Sequence, residues 1–287
     1  SPVCVPTPIG KNTQAILDGD AFLALEVDAT DQLKWGLPQF PEMTKKDGTV
    51  RLKSHLVIAV ARCGDLKECF VYDSLENHFH DSNMSIEVIH RTISHVQNIR
   101  GKLPQNLSLQ MDNCVRENKN TYVFGFLAWL VERRVFERIF VSFLPVGHTH
   151  FGPDQVASRM SVGVKHRDIF TREDFHQLIH FCYRPRPKVE MIENVADLKK
   201  MMNPSGRDTF KGSTLNRLHG VRQGKILHFL IERDDVGDSV IRTRNGADVR
   251  VWSQAYYPFK STREYEREQA GPYSHEDSEV RAQQILC

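Results

Sequence analysis

Short apolar runs rich in β-branched and aromatic residues recur along the first half of the chain, and stretches with apolar residues at helical spacing separate the later ones. The runs typical of strands are 21–32, 54–64, 67–74, 107–112 and 138–147. The stretches typical of helices are 84–101, 120–136, 153–164 and 171–183. Gly64 and Asp65 separate the second and third apolar runs, which predicts a β-hairpin. Thr171 is the predicted N-cap of the last helix.

The order of these elements predicts the fold class. Three strands followed by alternating helices and strands are typical of an α/β fold in which a mixed sheet carries helices on both faces. The same order is that of the RNase H-like fold, in which the first and fourth strands are neighbours. We therefore expect an RNase H-like five-stranded sheet over residues 20–184 as the core of the protein.

The chain on either side of this core has a different composition. Pro-rich and basic residues follow the core, then further apolar runs with a turn signal at Asn245-Gly246, then a polar segment. We expect a small β-rich C-terminal extension, which either contacts DNA or a second protomer or packs on the core. The predicted segments outside the core are an N-terminal extension (1–19), a basic linker (185–225), a β-rich C-terminal subdomain (226–260) and a polar tail (261–287).

An aspartate stands at each of three predicted element ends. Asp28 ends the first strand, Asp112 ends the fourth, and Asp154 lies at the start of the helix after the fifth. In an open α/β sheet, ligands collect at strand ends beside a change in strand order, so we expect the three carboxylates to face one another. Each has a structural alternative: an Asx-turn at Asp28, a turn at Asp112, and a first-turn helix position favoured by the helix dipole at Asp154.

Carboxylates that are crowded together predict a metal site. They repel one another unless a cation neutralises them, and hard oxygen ligands with few competing thiolates favour Mg²⁺ or Mn²⁺. Two such ions can activate a water or a 3′-hydroxyl and can stabilise the leaving oxygen of a phosphodiester. We therefore expect phosphodiester chemistry with two Mg²⁺ or Mn²⁺ ions as cofactors.

Three blocks of sequence cover the predicted element ends: VDATDQLKWGLPQF, QMDNCVRENKN and FLPVGHTHFGPDQVASRMS. They resemble an RNase H-like domain of the DDE-transposase type found in eukaryotic transposon-derived proteins, over roughly residues 20–185. The GHTH run followed by Asp154 is the most specific part. The resemblance implies a DDE/DDD-type metal-dependent polynucleotidyl transferase that cuts or joins DNA, with Asp28, Asp112 and Asp154 as catalytic metal ligands. The third acid is Asp rather than the Glu common in integrases.

Residues around these blocks are candidates for supporting roles: Asp31, Asn113, Glu117, His148 and His150. Asp31 competes with Asp28 for the ligand position. Asn113, Glu117 and Asn118 would hydrogen-bond the metal ligands, or they are solvated residues at a helix start. In an extended segment the two histidines would point to the same face. They would bind a metal, contact the scissile phosphate or hydrogen-bond Asp112, and the alternative is a pair of structural histidines satisfied by the backbone.

Basic residues are concentrated after the acidic strand ends. Between Arg159 and Lys225 there are fourteen Lys and Arg residues against seven Asp and Glu, although the net charge of the whole chain is only +2. A basic stretch beside an acidic site suits a phosphate-rich polymer, and a solvated surface is the alternative. The candidate nucleic-acid contacts are Arg159, Lys165, Arg167, Lys211, Arg217 and Arg222.

The cysteines and the apolar runs indicate the compartment. The six cysteines are scattered without a CxxC pair, which argues against a zinc ribbon or a disulfide framework and favours a reducing, intracellular location. No apolar run approaches the ~20 residues that a membrane span needs, so we expect no membrane partner. With DNA as the expected partner, bound by a monomer or a homodimer, we expect a nuclear protein. The missing initiator methionine favours a fragment of a longer protein.

Two other functions fit parts of the sequence. A transposase-derived domain that has lost catalysis would keep the three acids while binding DNA or protein. The GHTH run also occurs as the last metal motif of calcineurin-like metallophosphoesterases, but the three upstream motifs of that fold are missing here. Cleavage or transfer of DNA strands by a transposase-type nuclease or integrase is therefore our first expectation.

Overall fold

The structure, a computed structural model, describes residues 21–31, 34–42, 51–74, 80–144, 152–204, 215–216, 218, 226–244, 252–253 and 255–260. The strands are β1 (Phe22–Ala29), β2 (Gly36–Leu37), β3 (Leu52–Lys53), β4 (His55–Cys63), β5 (Leu66–Ser74), β6 (Asn106–Met111), β7 (Arg138–Phe143), β8 (Lys188–Ile192), β9 (His228–Arg233) and β10 (Ser239–Arg244). The helices are α1 (Ser82–Arg100), α2 (Thr121–Glu132), α3 (Gly152–Val164), α4 (Arg172–Cys182) and α5 (Leu198–Met202).

Eight of the described strands form one mixed sheet in the order β10-β9-β7-β6-β1-β4-β5-β8. β1 pairs in parallel with β6, and β6 in parallel with β7, whereas β1 pairs antiparallel with β4. β4 and β5 form the predicted hairpin, with Cys63 opposite Leu66 and Gly64 at a left-handed φ of 59°. The α/β class and the mixed sheet predicted from the element order are confirmed.

An apolar layer lies on each side of the sheet. Leu23 and Val27 are buried against α1 and α2, in one apolar cluster. Ile58 of β4 belongs to a second cluster, on the other side of the sheet, with α3 and α4. Because successive strand residues alternate between faces, Glu26 and Asp28 point to the side that α3 covers. Helices therefore cover both faces, as expected.

The sheet is wider than the five strands expected from the sequence. β8 pairs in parallel with β5 at one edge, and at the other edge β9 pairs antiparallel with both β7 and β10. Phe229 and Ile231 of β9 are fully buried, and the Phe229 ring lies 4.7 Å from that of Phe124 in α2. The C-terminal strands therefore complete the core. β8 lies within 185–225, where the sequence indicated a linker, whereas α5 coincides with the short helical pattern at 194–202.

Three predicted features lie outside the described residues. They are the N-terminal extension (1–19), the turn at Asn245-Gly246 and the polar tail (261–287). The predicted helix start at Thr171 is confirmed. Its hydroxyl accepts a hydrogen bond from the backbone N–H of Asp174, whose carboxylate accepts one from the Thr171 N–H in return.

Candidate functional site

Asp28 and Asp112 lie side by side at the carboxyl ends of two adjacent parallel strands. The register of β1 and β6 places Val27 opposite Met111, so the next residues along the two chains, Asp28 and Asp112, are adjacent. Val27 and Met111 are both buried in the layer of α1 and α2, so the two aspartates share the opposite face. The adjacency expected from the order of elements is therefore present.

A buried glutamate joins the start of α3 to β1. Glu26 Oε2 accepts a 2.8 Å hydrogen bond from the backbone N–H of Gly152, and Glu26 Oε1 forms a 2.9 Å ion pair with Arg62 Nη1 of β4. A Cβ atom at Gly152 would lie 2.4 Å from Glu26 Oε2, so the close approach requires glycine. Asp154 follows in the first turn of α3. Sequence reasoning missed Glu26 because its role depends on contacts between distant segments.

The aspartates of β1 and α3 line one cleft of about 170 Å³. Asp28, Asp31 and Asp154 form part of its wall, together with Lys34 and Ser158. Asp31 is exposed, whereas Asp154 is half-buried and its Oδ2 atom is shielded from solvent. The cleft therefore presents carboxylates from two separate elements to a ligand entering from solvent.

The pKa of Asp28 reports how closely the acids are grouped. It is raised to about 7, first by burial, then by the negative charges of Asp112 and Asp154, and less by that of Glu117. A hydrogen bond from the backbone N–H of Ala29 opposes the shift. Strongly shifted carboxyls in clefts are typical of functional sites, although ion-pair networks shift pKa values too. The three predicted aspartates thus belong to one electrostatic cluster.

A hydrogen-bonded loop holds Asp112 between β6 and α2. Asp112 Oδ1 accepts hydrogen bonds from Asn118 Nδ2 and, at 3.3 Å, from the backbone N–H of Cys114. Asn120 caps α2, because its Oδ1 accepts from two backbone N–H groups of the first turn while its Nδ2 donates to three carbonyls of the loop. The asparagines of the second sequence block therefore fix the position of its aspartate.

Lys119 is a buried cation within this loop. Its Nζ donates to Asn113 Oδ1 at 3.1 Å and to the carbonyl of Ile226 at 2.6 Å, and it lies 5.3 and 5.8 Å from the ring centroids of Phe143 and Phe229. Burial lowers the pKa of Lys119. The side-chain oxygen of Asn113, expected to support the metal ligands, is therefore bound to Lys119. No sequence signal indicated this, since a lysine between two asparagines is typical of a solvated loop.

The remaining predicted residues fall into three groups. Glu117 is half-buried, and its pKa is raised by burial and by the charge of Asp112, so it belongs to the cluster. The basic residues on and just after α3 are exposed: Arg159, Lys165 and Arg167. The residues that lie outside the described part of the chain are His148, His150, Lys211, Arg217 and Arg222.

A second buried acid lies on the same side of the sheet and was missed by the sequence analysis. Asp73 of β5 is fully buried, and its Oδ2 lies 2.8 Å from His176 Nε2 and 3.4 Å from Arg172 Nη1, both in α4. Asp73 is about a hundred positions from both partners in the sequence, so these contacts can be recognised only once α4 is packed on the sheet. Asp73 fastens α4 to the same face that carries the acidic cluster.

The acids of the cluster do not close around one point. Within the described residues, no group of three or more His, Cys, Asp or Glu side chains is arranged to hold a metal ion. The donors around Asp28 are nevertheless oxygens of the kind that Mg²⁺ and Mn²⁺ prefer. The donor chemistry therefore fits a hard divalent cation.

Comparison with known proteins assigns the chain to a family. Residues 44–232, more than half of the chain, match the profile of a domain of unknown function, DUF7869. The chain belongs to the DUF7869 family. No curated protein matches it. The matched part of this DUF7869 chain begins after β1, so it contains Asp112 and Asp154 but not Asp28. Among the helices that the structure describes, none is long and apolar enough to cross a membrane.

Proposed function

We propose that this DUF7869 chain is a metal-dependent nuclease or polynucleotidyl transferase of the RNase H-like, DDE-transposase type, acting on DNA. The observation that carries the proposal is the shared environment of Asp28, Asp112 and Asp154, three acids from separate elements whose charges act on one another. Carboxylates grouped around the half-buried Asp28 oppose one another's ionisation, which costs stability. A bound cation therefore explains the presence of such a cluster better than a stabilising role does.

The arrangement of strands supports the RNase H-like part of the proposal. β1 and β6, the first and fourth long strands of the chain, are direct neighbours, and the hairpin of β4 and β5 lies on the other side of β1. Asp28 and Asp112 lie at the carboxyl ends of the two parallel strands. Ligands of open α/β sheets bind at this kind of edge.

Mg²⁺ or Mn²⁺ is the cofactor class that fits, and Asp28, Asp112 and Asp154 are the residues that would hold it. Two such ions, when bound, would activate a water or a 3′-hydroxyl and stabilise the leaving oxygen of a phosphodiester. Asn118 keeps Asp112 Oδ1 oriented, and Glu26 keeps the start of α3 against β1. A bound cation would hold Asp28 in its carboxylate form, because nearby positive charge favours ionisation of the carboxyl.

DNA is the proposed partner because exposed cations lie on and just after the helix that carries Asp154. Arg159 lies on α3, the helix that carries Asp154, and Lys165 and Arg167 follow its last residue. Positive side chains attract the phosphates of a polyanion and position its backbone, while the acids alone would repel it. A nuclear location and assembly as a homodimer belong to the same proposal.

A nicking assay tests this function. Supercoiled plasmid is incubated with the chain in Mg²⁺, Mn²⁺ or EDTA, in parallel with Asp112→Asn and with Asp235→Asn, whose aspartate is exposed in the turn between β9 and β10. We expect nicking with either metal and none in EDTA. Asp112→Asn should lose about a hundredfold or more, since even the hydrogen-bonding partners of metal ligands are worth about 10–100-fold. Asp235→Asn should match the wild type.

Two results would contradict the proposal. Equal nicking by the wild type and Asp112→Asn would exclude catalysis at this cluster. Salt-sensitive DNA binding by a wild type that nicks with neither metal would indicate a catalytically silent DNA-binding domain instead.

A further inference from the structure

An aromatic surface beyond the end of α3 consists of the exposed ring of Phe170 and the half-buried ring of Phe40. Phe170 is 63% exposed, and its ring meets that of Phe40 edge-on, at 5.2 Å between centroids and 65° between planes. Two backbone hydrogen bonds pair the neighbouring residues, from the Gln39 N–H to the Ile169 carbonyl at 2.9 Å and in the reverse direction at 2.8 Å. The exposed ring is therefore held on a paired backbone.

The segment that carries Phe40 also forms part of the acidic cleft. Lys34 and Trp35 line the cleft, and Phe40 follows within the same described segment, 34–42. Trp35 is buried, and its indole N–H donates a 2.7 Å hydrogen bond to Thr30 Oγ1, just beyond β1. The cleft and the aromatic surface are therefore joined by one short segment of the chain.

Helix α3 connects the same two places on its outer side. Ser158 and Ser161 follow Asp154 at spacings of four and seven residues, which places them along one face, and Lys165 comes directly after the last residue of the helix. At about 1.5 Å per residue, the helix covers about 15 Å between Asp154 and Val164. An extended polymer lying along this face would reach from the acids to the two rings.

Two exposed cations precede Phe170 in the chain. Lys165, His166 and Arg167 are exposed immediately before Phe170, and Asp168 is the one acid among them. The Asp174 carboxylate also lies beside the ring, where it accepts a 3.2 Å hydrogen bond from the Phe170 backbone N–H as part of the α4 cap. The cations available to a ligand are Lys165 and Arg167, and exposed cations next to an exposed ring are the combination that proteins use to bind single-stranded nucleic acid. The cations follow the backbone while the ring stacks on a base.

We propose that Phe40, Lys165, Arg167 and Phe170 form a stacking platform for an unpaired base of a DNA strand whose backbone runs to the acidic cleft. This inference rests on the proposed function and specifies its substrate. Bases inside a duplex are stacked on one another and offer no free face, so the platform selects single-stranded or locally opened DNA. Lys165 and Arg167 contact the phosphates on either side of the stacked base.

Binding measured in EDTA tests the platform separately from catalysis. Fluorescence anisotropy is recorded with a labelled single-stranded DNA oligonucleotide and with the corresponding duplex, for the whole chain and its variants. Phe170→Ala should weaken single-strand binding about tenfold, the effect expected for loss of one stacked base. Phe170→Trp should keep it. Duplex binding should not change in either variant.

Phe181→Ala is the matched control, because Phe181 is 54% exposed and its ring is covered by the Arg186 guanidinium, 5.2 Å from its centroid. It should bind single strands as the wild type does. The platform is wrong if Phe170→Ala binds single strands normally, if both alanine variants weaken binding equally, or if duplex binding falls as much as single-strand binding. An oligonucleotide with 2-aminopurine should also lose fluorescence on binding to the wild type, but not to Phe170→Ala.

The two hypotheses fail in different ways. If Phe170→Ala binds single strands normally while Asp112→Asn abolishes nicking, the platform is wrong and the proposed function stands. If Phe170→Ala loses single-strand binding while the wild type nicks with neither metal, the platform stands and the catalytic proposal is wrong.

Discussion

Among single residues, Asp28 makes the stability of the folded protein depend on pH, because its carboxyl group is protonated more readily in the folded state than in the unfolded chain. An aspartate carboxyl ordinarily has a pKa of 3.8, and burial together with Asp112 and Asp154 raises the pKa of Asp28 to about 7. Between these values the folded protein holds a proton that the unfolded chain releases. The contribution of this proton to the free energy of unfolding is therefore fully present below about pH 4, and it is lost as the pH rises to about 7.

Asp28→Asn should remove this pH dependence. We expect the variant to be more stable than the wild type at pH 8, by up to a few kcal/mol, because one pKa unit corresponds to about 1.4 kcal/mol. At pH 4 the two proteins should have similar free energies of unfolding. Urea denaturation at both pH values measures the difference, with Asp235→Asn as an exposed control. A gain that is the same at both pH values would mean that Asp28 is not protonated near neutrality.

At the scale of elements, the contact between β1 and α3 determines where Asp154 lies. The Glu26 carboxylate accepts a hydrogen bond from the first N–H group of α3 and forms an ion pair with the Arg62 guanidinium. One carboxylate therefore connects β1, β4 and α3. A negative group at a helix N-terminus is also favoured by the helix dipole. The absence of a side chain at Gly152 is what allows this approach, and the position of Asp154 depends on it.

Gly152→Ala tests the β1–α3 contact. The added methyl would overlap Glu26 Oε2, so the start of α3 must move away from β1. We expect a loss of about 1–3 kcal/mol in the free energy of unfolding, together with reduced nicking. Thermal denaturation and the plasmid assay measure the two effects.

The control for this variant is Gly163→Ala in the same helix. There a Cβ atom would meet the Leu178 side chain at 3.2 Å, and that side chain can adjust. Alanine is also the better residue in a helix interior. Equal behaviour of the two variants would show that the approach at Gly152 does not position the helix.

At the scale of the whole molecule, the C-terminal strands support the site. β9 and β10 extend the sheet beyond β7, and their apolar side chains are buried against α2. Lys119, in the loop that holds Asp112, donates to the carbonyl of Ile226 just before β9. The loop of the acidic cluster is therefore bonded to the C-terminal part of the chain, and the two do not form independent units.

The sequence predicted the elements whose signals are local. The hairpin at Gly64 follows from two apolar runs separated by Gly and Asp, and the start of α4 follows from Thr171 and the acidic residues after it. The sequence did not predict β8, because its residues follow a Pro-rich basic stretch and their apolar pattern is weak. The strand pairs along one side only, with β5. An edge strand needs little apolar character, since only one neighbour packs against it.

The site was predictable only in part, for the same reason. The aspartates at strand ends could be recognised because a strand's end is visible in the apolar pattern. Glu26, Asp73 and Lys119 have functions in the structure that depend on partners far away along the chain, so nothing in their own sequence neighbourhood marks them. Long-range pairs of this kind appear only once the sheet and its helices are assembled.

The most direct test of the central claim is anomalous diffraction from crystals of the chain soaked in Mn²⁺, compared with crystals of Asp112→Asn treated in the same way. We predict an anomalous peak in contact with the carboxylates of Asp28 and Asp112, with Asp154 turned toward it, and a peak that is weak or missing in the variant. Full Mn²⁺ occupancy elsewhere on the protein, with none between these aspartates in the wild type, would contradict it.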